Sequence, residues 1–163
     1  MGVRNCRDIG ENLKKIIKRL MANDKLVNLL YYTEVNPLEQ DSLTEKEKQE
    51  LIYNKLIKII PRVGPKETAN SLVVIRVVRG KGNFENPEFK DVLLQAEIFV
   101  PLTQWFIKGD NLRPFAILGE IQESLDGKTI NGLGKLSGGD FELNYITDDI
   151  CCYQQSFYWT SYD

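Results

Sequence analysis

Residues 72–78 read Leu-Val-Val-Ile-Arg-Val-Val, and residues 92–100 read Val-Leu-Leu-Gln-Ala-Glu-Ile-Phe-Val. Arg76 is the one charge in the first run, and Gln95 and Glu97 are the polar residues of the second. Runs this apolar and this rich in β-branched residues predict two strands buried for most of their length. The segment between them, Arg79-Gly80-Lys81-Gly82-Asn83-Phe84-Glu85-Asn86-Pro87, is dense in turn formers and too long for a two-residue hairpin. It predicts a loop that projects outward.

Upstream of this pair the pattern is helical. Asp8 with Glu11 forms an N-cap and N3 pair, and Ile9, Leu13, Ile16, Ile17 and Leu20 recur at spacings of three and four, predicting a helix from Asp8 to about Met21. Asn23 and Asp24 recap the chain ahead of Leu26, Val27, Leu29 and Leu30, a second short helix. Tyr31 to Ser42 holds Asn36-Pro37 and no sustained period, and reads as a surface excursion and candidate contact loop. Thr44 with Glu47 repeats the capping signature before a short charged helix backed by Leu51 and Ile52. Leu56, Ile57, Ile59 and Ile60 before Pro61 predict a strand stopped by proline.

Downstream, Asn111 or Leu112 before Arg113-Pro114 marks a helix start, and Phe115, Leu118, Ile121, Gln122 and Leu125 follow at helical spacing. Gly127 is placed to end that helix. Gly132, Gly134, Gly138 and Gly139 predict short strands and turns, a hairpin region. Ile150 to Tyr162 carries Tyr153, Phe157, Tyr158, Trp159 and Tyr162 and predicts a last strand that packs on the sheet or covers its edge. The order is helices, strands, a helix, strands. It predicts one α+β domain over 1–163: an antiparallel sheet with N-terminal helices and one helix packed on a face. Residues 1–54 form a mainly helical part with the contact loop, 55–149 the sheet and its packed helix, and 150–163 an aromatic strand or tail.

The chain contains no histidine. That removes serine–histidine and cysteine–histidine nucleophile pairs, histidine bases and most zinc sites together. Folding at 163 residues buries roughly 70% of the unfolded chain's surface, so a core forms without disulfide or metal. Cys151 and Cys152 are adjacent and Cys6 lies far away, a pattern of a reducing compartment and of small buried hydrophobes. No segment approaches the ~20 apolar residues that span a bilayer, and Lys14, Lys15, Lys18 and Arg19 interrupt the first helix, so a soluble, non-exported chain is expected. Net charge is −2, but residues 1–25 carry +4 and the remainder −6. This asymmetry suits a solvated helix face or head-to-tail stacking on an oppositely charged neighbour.

The residues offer no reaction centre. Leu136-Ser137-Gly138-Gly139 looks like part of an ATPase signature, but the chain lacks the phosphate loop that accompanies it, and Gly132-Leu133-Gly134 lacks the spacing of a dinucleotide fingerprint. Asp148 with Asp149, and Glu120 with Glu123, read as caps and helix charges before they read as metal or acid–base pairs. Lys and Arg are absent from Leu136 to Asp163, so the terminal aromatics lack the basic track of a single-strand binder.

Leu29-Leu30-Tyr31-Tyr32-Thr33, continuing to Asn36-Pro37-Leu38, resembles an early stretch of tailed-bacteriophage neck and tail-completion proteins. Leu112-Arg113-Pro114 with Gly119-Glu120-Ile121, and Leu133-Gly134-Lys135-Leu136, resemble the helix and following strand of those proteins, so the likeness runs from Ile9 to Leu136. The resemblance implies a non-enzymatic virion protein, without cofactor, metal or catalytic residues. It implies a six- or twelve-fold homo-oligomeric ring at the head–tail junction: a neck protein, tail terminator or connector. Its partners would be copies of itself, the portal-side connector and tail proteins, with DNA passing only as cargo through the lumen and no membrane. Its place would be the virion neck or tail, after assembly in the host bacterial cytoplasm. On this reading Asn36, Pro37 and Leu38 form a first contact loop, Gly82, Asn83 and Phe84 a second, and Phe157, Tyr158 and Trp159 a docking tail. Arg79 and Lys81 are candidates to face the lumen. A host-directed protein-binding module and a carboxylate-dependent hydrolase using Glu120 or Asp148 are the alternatives.

Overall fold

In chain order the elements are α1 (Cys6–Met21), α2 (Asp24–Tyr31), α3 (Glu45–Leu51), β1 (Ile57–Lys58), β2 (Leu72–Gly82), β3 (Lys90–Pro101), α4 (Arg113–Leu125), β4 (Thr129–Ile130), β5 (Gly134–Ile146) and β6 (Ile150–Thr160). The computed structural model describes residues 6–59, 69–82, 90–130 and 134–160. Within it the fold is α+β, as the order of patterns predicts.

The two apolar runs pair with each other, Val73 opposite Ile98 and Ile75 opposite Ala96, and the full sheet has the order β1-β2-β3-β6-β5-β4. Every pairing is antiparallel except that of β1, which runs parallel to β2 over two residues. The strand expected from Leu56 to Ile60 is therefore reduced to Ile57–Lys58, and Ile60 lies outside the described residues. The C-terminal run differs more. β6 does not cover an edge; it lies between β3 and β5, with Phe157 opposite Leu94 and Trp159 opposite Val92.

Alternation separates the two faces. Val73, Ile75, Leu94, Ala96, Ile98, Phe157 and Trp159 point to one side, where they form a continuous core with Ile16, Ile17 and Leu20 of α1, Leu26, Leu29 and Leu30 of α2, and Ile117, Ile121 and Leu125 of α4. The opposite side carries a smaller apolar group, Leu72, Val74, Phe99, Ile150 and Cys152. Beyond that group it turns polar: Arg76 bonds Glu97, Gln95 bonds Ser156, and Gln154 donates to Glu142.

Helix ends follow the caps read from the sequence. Asn23 accepts from the Leu26 N–H at the start of α2, and Thr44 with Glu47 makes both bonds of a capping box on α3. α1 is already helical at Cys6, the first described residue, so Asp8, predicted as its N-cap, lies inside the helix. α4 starts after Leu112 with Pro114 in its first turn and ends at Leu125, capped by Asp126, after which Gly127 takes φ +67°. Gly132 lies outside the described residues; Gly134, Gly138 and Gly139 do not cut the chain into short strands. They bend one 13-residue strand: β5 changes register between Gly138 and Asp140. At Gly138 (φ +142°) a Cβ would sit 2.6 Å from the Ser156 carbonyl, so glycine alone lets β5 approach β6.

Candidate functional site

The first predicted contact loop is built around a buried arginine. Arg113 is fully buried, and its guanidinium has no carboxylate partner among the described residues. Nε donates to the Gln104 carbonyl (2.8 Å), Nη1 to those of Leu29 (2.5 Å) and Tyr32 (2.8 Å), and Nη2 to that of Glu34 (2.7 Å). Leu29 and Tyr32 belong to the C-terminal end of α2, where carbonyls lose their helical partners and carry the negative end of the dipole. A guanidinium fork fits that cluster; burial favours its neutral form, but an arginine keeps its charge in proteins. One side chain thereby fixes the end of α2, the loop after it and the turn at Leu102–Gln104 to the start of α4.

A second cation completes the frame. The Lys108 backbone N–H donates to the Val35 carbonyl, and Lys108 Nζ meets Glu39 Oε1 at 2.6 Å. The loop is wedged from within by Pro37, which is buried at the start of a 3-10 turn, Pro37–Glu39. Pro37 is thus a packing residue, correcting its assignment as a contact, because its missing N–H and fixed φ suit a turn start facing inward. Asn36 is half-buried and donates to Glu39; Leu38 is half exposed. Val35, exposed to 64%, and Phe106, exposed to 75%, belong to the two segments that Lys108 and Arg113 join.

Arg79 to Gly82, expected in the second loop, are instead the last residues of β2 and lie near Tyr158 at the other end of the sheet. Gly82, Arg79 and Lys81 are exposed at the end of β2, while Asn83 and Phe84 lie outside the described residues. Register places Arg79 beside Leu93 and Leu93 beside Tyr158, and a groove of about 250 Å³ runs between Arg79, Lys81, Asp91 and Tyr158. Tyr158 is half exposed there. Phe157 and Trp159 are not: both are fully buried against the helices, because strand alternation sends them to the opposite face from Tyr158. The proposed docking tail is corrected to one surface residue and two core residues.

Of the acidic residues weighed as chemical groups, Glu120 is used in structure. Asn23 Nδ2 donates to Glu120 Oε2 (2.9 Å) and Ser124 Oγ (2.9 Å), which ties the cap of α2 to α4 beside a polar groove of about 420 Å³. Asp148 and Asp149 are exposed in the turn between β5 and β6. Cys151 and Cys152 are both buried on opposite faces of β6, and burial, chiefly, pushes the Cys152 thiol up to about 12. No three or more acidic or cysteine side chains converge as a metal site among the described residues.

Two features escape the sequence reading. Arg113 is one, although a cation in the first turn of a helix opposes the dipole and so signals another employment. The other is β5, whose Phe141, Leu143 and Ile146 are each at least half exposed. Phe141 packs edge-on against Phe115 of α4 and against Tyr153, so α4 covers that side only in part.

The clamp, strands β1 to β5, β6 as far as Phe157 and the half-covered edge fall within the region on which the YomW family model matches, residues 23–157. The chain belongs to the YomW family. This family is phage-associated, and the chain is a phage-related protein on that footing. No curated protein and no solved structure matches the chain significantly. The YomW match takes in the Asn23 cap, the Arg113 clamp and β6 through Phe157, so the features just described are features of the matched region. None of the YomW protein's described helices is long and apolar enough to cross a membrane.

Proposed function

We propose that this YomW protein is a non-enzymatic structural component of the virion that forms a ring at the head–tail junction, as neck protein, tail terminator or connector. The observation that carries the reading is the clamped loop. Arg113 donates to four carbonyls and the Lys108 N–H to that of Val35, so the segment that exposes Val35 and Leu38 is ordered before any partner arrives. A rigid apolar surface loses little conformational entropy on docking, which suits a protein whose work is contact with neighbours. The family's phage association supports the same reading.

In this role the loop meets the portal-side connector or the tail, and the ring passes DNA as cargo. The test is the particle. Virions of a phage that encodes the chain should contain it in six- or twelve-fold copy number by quantitative mass spectrometry. An amber mutation in its gene should leave heads and tails unjoined under the electron microscope. Particles that lack the chain, with the chain instead co-purifying with one host protein, would replace this reading by the host-directed binding module. Loss of an activity on Glu120→Gln or Asp148→Asn would replace it by the hydrolase.

A further inference from the structure

Among the described residues the sheet is unfinished on both sides. β1 pairs only with Val73 and Val74 of β2, and β4 only with Gly134 and Lys135 of β5. Asp126 and Lys128 engage β5 as far as Gly138. Beyond those points the outer edges of β2 (75–82) and β5 (140–146) have no strand partner among the described residues. Natural proteins blunt such edges with charge, proline or a covering element. Here the β5 edge carries exposed Phe141, Leu143 and Ile146.

The two edges are opposite in charge. β2 presents Arg79 and Lys81, β5 presents Asp140 and Glu142, and all four are exposed. Register puts them on one face of the sheet: Arg79 lies in the row of Leu93 and Tyr158, while Asp140 and Glu142 lie opposite Ser156 and Gln154 of the same strand. β2 and β5 also run in opposite directions, since each of the three pairings from β2 through β3 and β6 to β5 is antiparallel.

We infer that β5 of one copy pairs antiparallel with β2 of a second copy, continuing the sheet head to tail. One register satisfies both charge pairs at once, with Glu142 opposite Arg79 and Asp140 opposite Lys81, because an antiparallel ladder steps the two strands in opposite senses. On the other face the same register sets Phe141 over Gly80, where a Cβ would meet nothing within 4 Å and a ring has room. Within one chain Asp140 shares a row with Arg76, so facing Lys81 of the next copy staggers the strands along their length. Stagger of this kind tilts strands and lets a sheet close on itself. The contact is heterologous, the type that generates rings when its rotation closes and filaments when it does not. It assigns Arg79 and Lys81 to a neighbouring subunit rather than to DNA, and it rests on the ring reading only for closure.

The test uses the full chain in two charge-reversed forms, R79E/K81E and D140K/E142K. Each reverses one edge, and circular dichroism checks that these exposed changes leave the fold intact. By size exclusion with light scattering over a concentration series, the wild type should assemble. Each variant alone, with like charges on both its edges, should need at least tenfold higher concentration, and an equimolar mixture should recover wild-type assembly. With Cys6→Ser to remove the exposed thiol, Lys81→Cys with Asp140→Cys in one chain should give an oxidised ladder of oligomers. The two single-cysteine forms mixed should stop at dimers. A wild type that stays monomeric without a ladder, or variants that assemble as the wild type does, overturns the inference. Closed rings without the ladder leave the ring reading standing and remove the edge pairing. The ladder on open filaments, absent from virions, does the reverse.

Discussion

Arg113 in the helical layer and Arg76 on the other face of the sheet are withdrawn from water, the first fully and the second in part, and the fold satisfies them in different ways. Arg113 is fully buried and bonds four neutral carbonyls; Arg76, exposed to 29% at its side chain, meets the Glu97 carboxylate. Dipoles supplied by a helix end and two turns replace the counter-ion in the first case, so the guanidinium becomes a splint for backbone that has no other partner. In the second, two charges on neighbouring strands largely neutralise each other, and the backbone beneath them is already held by the sheet. The difference teaches that the clamp organises a loop, whereas the ion pair decorates a scaffold.

The hardest strain on this contrast is Arg113→Met. It strands four carbonyls, two of them in fully buried bonds, and should cost about 3–5 kcal/mol in urea unfolding. Arg113→Lys should recover less than half of that, since an ammonium cannot spread over the same fork of acceptors. A loss of under about 1 kcal/mol for the methionine variant would dissolve the distinction between splint and decoration.

Arg76→Met should cost less, about 2 kcal/mol at neutral pH, because it strands one buried carboxylate, which can take up a proton, and leaves no backbone group unbonded. That deficit should shrink as the pH is lowered and Glu97 takes up a proton; a deficit that grows in acid would contradict the account. Burial lifts the Glu97 carboxyl above its ordinary 4.5, although the Arg76 charge pulls the other way. In the pH range between 4.5 and the raised value, the folded state binds more proton than the unfolded one, so stability falls as pH rises through that range. Glu97→Gln should flatten this slope and stay within about 1 kcal/mol of the wild type at pH 7, as read from urea midpoints at a series of pH values.

The smallest effect belongs to the exposed pair Lys108–Glu39, which frames the loop from outside. Its hydrogen bond to Lys108 holds the Glu39 carboxyl below the ordinary range, so the pair's contribution is present above 4.5 and is lost as pH falls. Lys108→Ala should move the midpoint in low salt only slightly and not at all in high salt, where exposed charges are screened. An effect that persists in high salt would make Lys108 part of the splint.

The sequence was most legible where structure depends on near neighbours. Period three-and-four spacing marks α1, and the pairs Asn23–Leu26 and Thr44–Glu47 cap α2 and α3 where predicted. The apolar runs at 72–78 and 92–100 are strands, and Gly127 follows the end of α4. The candidate site was legible only as positions. Asn36 to Leu38 does form an exposed turn, yet Pro37 faces inward, and the tail aromatics divide by face. Composition groups Phe157, Tyr158 and Trp159 together; a strand separates them because successive side chains point to opposite sides.

By itself, then, the sequence determined the α+β class, the caps and the alternation, all set by backbone sterics and by contacts within about one helical turn or one strand rung. Tertiary structure decided that β6 sits inside the sheet, that Arg113 reaches carbonyls up to 84 residues away, and that, among the described residues, two strand edges of opposite charge have no strand partner. Those outcomes turn on which distant segments bury each other, and no local period records that choice.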